Sequence, residues 1–128
     1  MTLVPSTPAP VVLIVDDSAT NLHVLNRILG ARYQVKVARS GLKALDIAVR
    51  VRPSLILLDV QMPDMDGIEV CRRLKQDSAT AAIPVAFVSG DGGARDLAAC
   101  RAAGGSDFFI KPVDPEDLLA RAARLIGR

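Results

Sequence analysis

Five short apolar runs, each followed by a stretch with helical spacing, restrict this chain to very few architectures. The runs are Val11–Val15, Tyr33–Ala38, Leu55–Leu58, Ile83–Val88 and Ser106–Ile110. After the first, Leu22, Leu25, Ile28 and Leu29 recur at helical spacing until Gly30. Ser40-Gly41 begins a second helix running to about Arg50, with Leu42, Leu45, Ile47 and Ala48 apolar. Ile68, Val70, Cys71 and Leu74 supply the inner face of a third, whose outer face carries Arg72, Arg73 and Lys75 as a solvated cluster. An Ala-rich helix runs from about Ala94 to Ala103 and stops at Gly104-Gly105, and Pro115-Glu116-Asp117 opens the last with its acids at the N-terminal end. Strict strand–helix alternation with short connections predicts a parallel sheet with right-handed crossovers and helices on both faces. The expected fold is therefore a doubly wound α/β sandwich of five strands, in order 2-1-3-4-5, with five helices. Leu55–Leu58 has no polar interruption and reads as a central strand buried on both faces. Tyr33–Ala38 alternates Val35 and Val37 with polar neighbours, which suits an edge.

At 128 residues the chain has one domain's length. It is 50% hydrophobic but only 3% aromatic, so Val, Ile, Leu and Ala must build the core. Sixteen basic residues are scattered among 14 acidic ones without a sustained basic run, which gives no reason to expect direct nucleic-acid binding. Cys71 and Cys100 have neither the spacing nor the companions for a zinc site or disulfide framework, and read as small buried or half-buried residues of a reduced compartment. Residues 1–10, rich in Pro, Ser and Thr, read as a flexible leader before a single domain spanning 11–128. The leader has no basic residue and runs into only five apolar residues, so neither a signal peptide nor a membrane span is expected. That makes the expected location cytoplasmic.

The chemistry lies where the strands stop. Four of the five end in Asp16-Asp17, Asp59, Ser89 and Lys111. In a parallel sheet these ends share one edge, so residues distant in sequence converge on one pocket. Three crowded carboxylates repel one another unless a cation sits among them or their pKa values rise. Mg²⁺ answers that cost, because it takes hard oxygen ligands and is commonly held by one or two carboxylates plus a phosphate. A lysine and a hydroxyl in the same pocket could hold further phosphate oxygens. The chemistry that fits is phosphoryl transfer onto Asp59, with the metal and Lys111 neutralising charge.

From Val11 to about Ile126 the chain resembles the receiver domain of two-component response regulators, a flavodoxin-like, CheY-like superfamily. The matching motifs are Asp16-Asp17, Leu57-Leu58-Asp59 with Met62-Pro63 and Asp66-Gly67, Val88-Ser89, and Lys111-Pro112. The resemblance implies that Asp59 is the phosphoacceptor and that Asp16, Asp17, Asp59 and the main-chain carbonyl of Gln61 hold Mg²⁺. It also implies that Ser89 and Lys111 contact the phosphoryl group, and that Phe108 is the aromatic whose rotamer follows Ser89. Gln61 and Asp91, flanking the pocket mouth, are expected to tune dephosphorylation. The implied partners are a sensor histidine kinase or phosphotransfer protein and a downstream protein target, sensed through the fourth helix, fifth strand and fifth helix. Gly90 departs from the alanine common after the hydroxyl residue, and Phe108 lacks a tyrosine's hydroxyl. Asp17-Ser18 with Asn21-Leu22, and Cys71-Arg72, resemble receivers of hybrid kinases or cyclic-dinucleotide cyclases, so the chain could be one portion of such a protein.

A haloacid-dehalogenase-like phosphatase also uses an aspartyl phosphate, but it resembles Asp-x-Asp at the nucleophile, whereas this chain has Asp59-Val60-Gln61 and lacks the general acid. A calcium loop over Asp59–Asp66 fails because Pro63 occupies a ligand-spacing position. A phosphorylation-independent interaction module would not need every residue of the constellation, all of which are present. The receiver is expected to catalyse only its own phosphorylation and dephosphorylation.

Overall fold

The computed structural model describes residues 8–90 and 94–127. Its elements follow in strict alternation: β1 Val11–Val15, α1 Ala19–Leu29, β2 Gln34–Ala38, α2 Gly41–Val51, β3 Leu55–Asp59, α3 Gly67–Gln76, β4 Val85–Ser89, α4 Ala94–Ala102, β5 Asp107–Ile110 and α5 Pro115–Ile126. The sheet is parallel with order β2-β1-β3-β4-β5, as the alternation predicted. Because β1 pairs with both β2 and β3, the winding reverses between β1 and β3, and a crevice opens beyond their carboxyl ends.

Successive residues of each inner strand serve opposite core layers. Leu13, Val15, Ile56, Leu58 and Phe87 face Ala44 and Ala48 of α2, Val70, Cys71 and Leu74 of α3, and Cys100 of α4. Val12, Ile14, Leu57 and Val88 face Leu22, Leu25 and Leu29 of α1 and Leu118 and Ala122 of α5. Every residue of β3 and β4 is buried, which accounts for their unbroken apolar character. Each fully buried Leu or Ile stabilises the fold by roughly 1.5–3 kcal/mol relative to exposure. Side chains start the helices: Ser18, Ser40, Asp66 and Asp114 cap α1, α2, α3 and α5, each contributing about 1 kcal/mol.

Two expectations about helix faces need correction. Leu42, counted with the apolar set of α2, is 61% exposed; the helix packs through Gly41, Ala44 and Ala48, with Leu45 and Ile47 partly buried against the same core. Small residues are needed because α2 lies close against α3; a Cβ at Gly41 would come within 2.8 Å of Val70 Cγ2. On α3, Arg72 and Arg73 both pair with Glu69 on the solvated face, but Lys75 turns inward. Its half-buried ammonium donates to the carbonyls of Ala81 (3.1 Å) and Ile83 (2.5 Å), tying α3 to the segment that enters β4. β2 is an edge strand as expected, with Val37 46% exposed.

Most of the expected leader, residues 1–7, lies outside the described residues; Ala9 and Pro10 accept hydrogen bonds from Gln34. Among the described residues, no helix is long and apolar enough to cross a membrane.

Cys71 and Cys100 are free and buried. Burial pushes the Cys100 thiol up to about 11, which leaves about one molecule in a thousand as thiolate at pH 8. Both cysteines should therefore resist iodoacetamide in the native protein and react fully in denaturant. Rapid stoichiometric labelling of the native chain would show that this core opens far more readily than its packing indicates.

Candidate functional site

The crevice is built from strand ends. Asp16 stands one residue past β1, yet its N–H still donates to the Ala38 carbonyl at 3.1 Å, so the β1–β2 ladder fixes its backbone. Asp59 closes β3 and Ser89 closes β4; in register, Asp59 lies beside Val88 and Ser89 beside Ile110. Lys111 follows β5, its N–H donating to the Ser89 carbonyl at 2.8 Å, and its peptide bond to Pro112 is cis. The regular sheet thus sets four side chains on one rim to within the precision of its own hydrogen bonding.

Asp16 is 1% exposed and Asp59 7%, whereas Asp17 is open to solvent. One carboxylate oxygen from each lies within 4.8 Å of the others. Asp16 Oδ1 accepts from the Ser18 N–H at 2.9 Å and its Oδ2 from Lys111 Nζ at 3.0 Å. Lys111 Nζ also reaches Asp59 Oδ1 at 3.5 Å. Gln61, Ser89 and Gly90 line the same cleft of about 270 Å³, together with Asn21 of α1.

Burial, and then the negative charge of Asp16, hold the Asp59 carboxyl above its ordinary pKa. Lys111 and the Gln61 N–H oppose that shift without cancelling it. Three carboxylates against one ammonium leave a surplus of negative charge in a partly desolvated cleft. The donor set is oxygen only, with no thiolate or imidazole, so it suits a hard divalent cation such as Mg²⁺ rather than a soft metal.

Asp16, Asp17, Asp59, Gln61, Ser89 and Lys111 therefore meet at one place. Phe108 does not join them. It is half-buried on β5, beside Phe87 in register, and lines a separate cavity of about 360 Å³ with Leu97, Arg101, Ile110 and Arg121. Asp91 falls outside the described residues. Two residues that shape the cleft were named in the sequence only as parts of the motifs Asn21-Leu22 and Asp66-Gly67, without a role at the site. Asn21 is carried there by the first turn of α1. Gly67 matters because a Cβ on it would sit 2.0 Å from the Asp59 carbonyl oxygen, while its N–H donates to the Val60 carbonyl at 2.7 Å. The start of α3 presses on the backbone of the phosphoacceptor candidate so closely that only glycine fits.

A family model described as the response regulator receiver domain matches residues 12–123. Response regulator PleD of Caulobacter vibrioides is 44% identical over 115 residues, covering 89% of this chain and 25% of PleD, so the chain spans about a quarter of that relative's length. Among solved structures, chemotaxis protein CheY4 of Vibrio cholerae superposes with a TM-score of 0.87 at 29% identity, covering 92% of this chain and 99% of that one. The receiver domain of sensor histidine kinase PA1611 from Pseudomonas aeruginosa, with a magnesium ion coordinated in its active-site cleft, gives a TM-score of 0.88 at 26% identity, covering 94% and 100%.

Proposed function

We infer the function from the family to which this chain belongs, the response regulator receiver domains of two-component signalling. Residues 11–128 act as a phosphoacceptor unit, and Asp59 takes a phosphoryl group from the phosphohistidine of a sensor histidine kinase or phosphotransfer protein. The observation that carries this reading is Lys111 Nζ standing between Asp16 and Asp59, at 3.0 and 3.5 Å, in a cleft that Ser89 closes.

In the reaction an Asp59 carboxylate oxygen forms a bond to phosphorus as the phosphorus–nitrogen bond to the donor imidazole breaks in line. The Lys111 ammonium, already beside Asp59, meets the incoming phosphoryl oxygens and offsets their charge. Ser89, buried at the end of β4, supplies a hydroxyl donor to the product. Asp16, Asp17, Asp59 and the Gln61 carbonyl would hold Mg²⁺, which supplies charge neutralisation to the acidic cluster and the phosphoryl group. Exposed at the mouth, Gln61 tunes the access of hydrolytic water, and Asp91 is assigned the same role.

The output runs through the fourth helix, fifth strand and fifth helix towards a downstream protein. When Ser89 moves to the phosphoryl oxygens, the Phe108 ring turns inward, and apolar burial favours that state without a polar partner. The direct test is incubation with acetyl phosphate and Mg²⁺, followed by intact mass and hydroxylamine lability. A chain that acquires no hydroxylamine-labile phosphoryl group is not a phosphoacceptor.

Lys111→Ala should separate uptake from output. Saturating Mg²⁺ can still support transfer, so uptake should fall by less than about tenfold, roughly 1.4 kcal/mol of barrier. The amide protection that a beryllofluoride phosphate mimic confers on β5 should disappear. Equal loss of both would make Lys111 a purely catalytic group.

A further inference from the structure

We propose that Asp64 is a positioning residue for the metal-binding loop, fastening the stretch that carries Gln61 to the start of α2. This rests on the receiver reading given above. Asp64 is exposed and stands outside the cleft, so it takes no part in the chemistry directly.

The loop from Val60 to Asp66 has to hold an exposed residue, Gln61, still enough for its carbonyl to act as a ligand. On the near side it is anchored well. Val60 is buried and its carbonyl accepts from Gly67 N, while the Gln61 N–H donates to the Asp59 carboxylate. Met62 is buried next to it. Beyond Met62 comes Pro63, whose ring fixes φ and so removes one backbone freedom between Met62 and Asp64.

Asp64 applies that constraint. Its Oδ1 accepts from the Gly41 N–H at 3.1 Å and its Oδ2 from the Leu42 N–H at 3.2 Å. These are the first two amides of α2, which have no acceptor within their own helix. The Gly41 N–H foremost holds the Asp64 carboxyl below the usual carboxylate range. The approach is close because residue 41 is glycine; a Cβ there would lie 3.0 Å from Met65 Cβ and 3.2 Å from its carbonyl oxygen. Ser40 Oγ caps α2 at a further amide, accepting from the Lys43 N–H at 3.2 Å, so the helix start has its own local cap besides the contacts from Asp64. What Asp64 adds is a two-point tether between a rigid helix end and a loop 23 residues away in sequence.

Titrating Mg²⁺ by calorimetry into the unphosphorylated full chain, as parent, Asp64→Ala, Asp64→Asn and Ser40→Ala, tests the assignment. Asp64→Ala should weaken Mg²⁺ binding roughly tenfold, the low end for residues that orient a ligand. The Mg²⁺ concentration giving half-maximal uptake from acetyl phosphate should rise by the same factor, and the maximal rate should return at saturation. Asp64→Asn keeps only one of the two acceptor oxygens and should fall between the parent and Asp64→Ala. Ser40→Ala removes a cap from the same helix end and should lower the melting temperature without changing Mg²⁺ affinity. If Asp64→Ala behaves like Ser40→Ala, Asp64 only caps a helix. If Asp64→Asn binds Mg²⁺ as tightly as the parent, a single contact suffices and the two-point tether is refuted. Failure of the parent itself to bind Mg²⁺ would instead overturn the acidic-cluster reading on which the inference rests, and the inference with it.

Discussion

Asp59→Asn should abolish phosphoryl uptake, and excess chelator should do the same to the unaltered protein. The amide cannot act as a nucleophile towards phosphorus, although its shape fills the same space at the end of β3. Metal dependence follows from the charges already in place, since an anionic donor must approach Asp16 and Asp17 as well as Asp59. The same substitution carries a second, independent readout. A carboxyl whose pKa is raised by folding holds its proton more tightly in the folded state, so its contribution to stability is lost as pH rises through the folded pKa. At neutral pH in chelator the Asp59 charge therefore works against the fold, and Asp59→Asn should melt higher than the parent. Uptake by the Asn variant would remove Asp59 from the mechanism. A lower melting temperature would mean that Lys111 compensates the burial more completely than its 3.5 Å distance indicates.

Gly67→Ala is expected to be the most damaging change that leaves every polar group of the cleft in place. The added methyl has to occupy a point 2.0 Å from the Asp59 carbonyl oxygen and 2.9 Å from its carbon. Both neighbours are backbone, so the start of α3 must move away, breaking the Gly67 N–H contact with Val60. Overpacking of this kind costs about 2–3 kcal/mol, which lowers the melting temperature of a domain this size by roughly 10 °C. Uptake should fall as well, because the displaced segment packs directly on the backbone of Asp59. Gly90→Ala is the contrast: a Cβ at Gly90 meets nothing within 4 Å, and its effect on stability should stay within about 0.5 kcal/mol. Similar melting temperatures for the two variants would show that the α3 start yields easily and that glycine is not required there.

The alternation of apolar runs and helical stretches was enough to predict the sheet order, because chain connectivity and the handedness of crossovers leave few alternatives. From that order, the convergence of Asp16, Asp59, Ser89 and Lys111 followed without any knowledge of contacts. Each stands at or just past a strand's carboxyl end, and a parallel sheet brings such ends to one rim. Periodicity carried information wherever burial is decided locally, as in the unbroken run of β3. It was silent about partners chosen across space. Leu42 belongs to the apolar set of α2 yet faces solvent, while Gly41, Ala44 and Ala48 are the positions the helix turns to the core. Lys75 belongs to a basic cluster in sequence but finds two carbonyls on the way into β4. The Lys111–Asp16 bond joins residues 95 positions apart, and the Asp64 tether to α2 joins residues 23 apart. Local pattern determined which elements form and which strand ends meet. Side-chain geometry between elements decided which groups touch there, since a hydrogen bond depends on distances of tenths of an ångström that no spacing in the chain encodes.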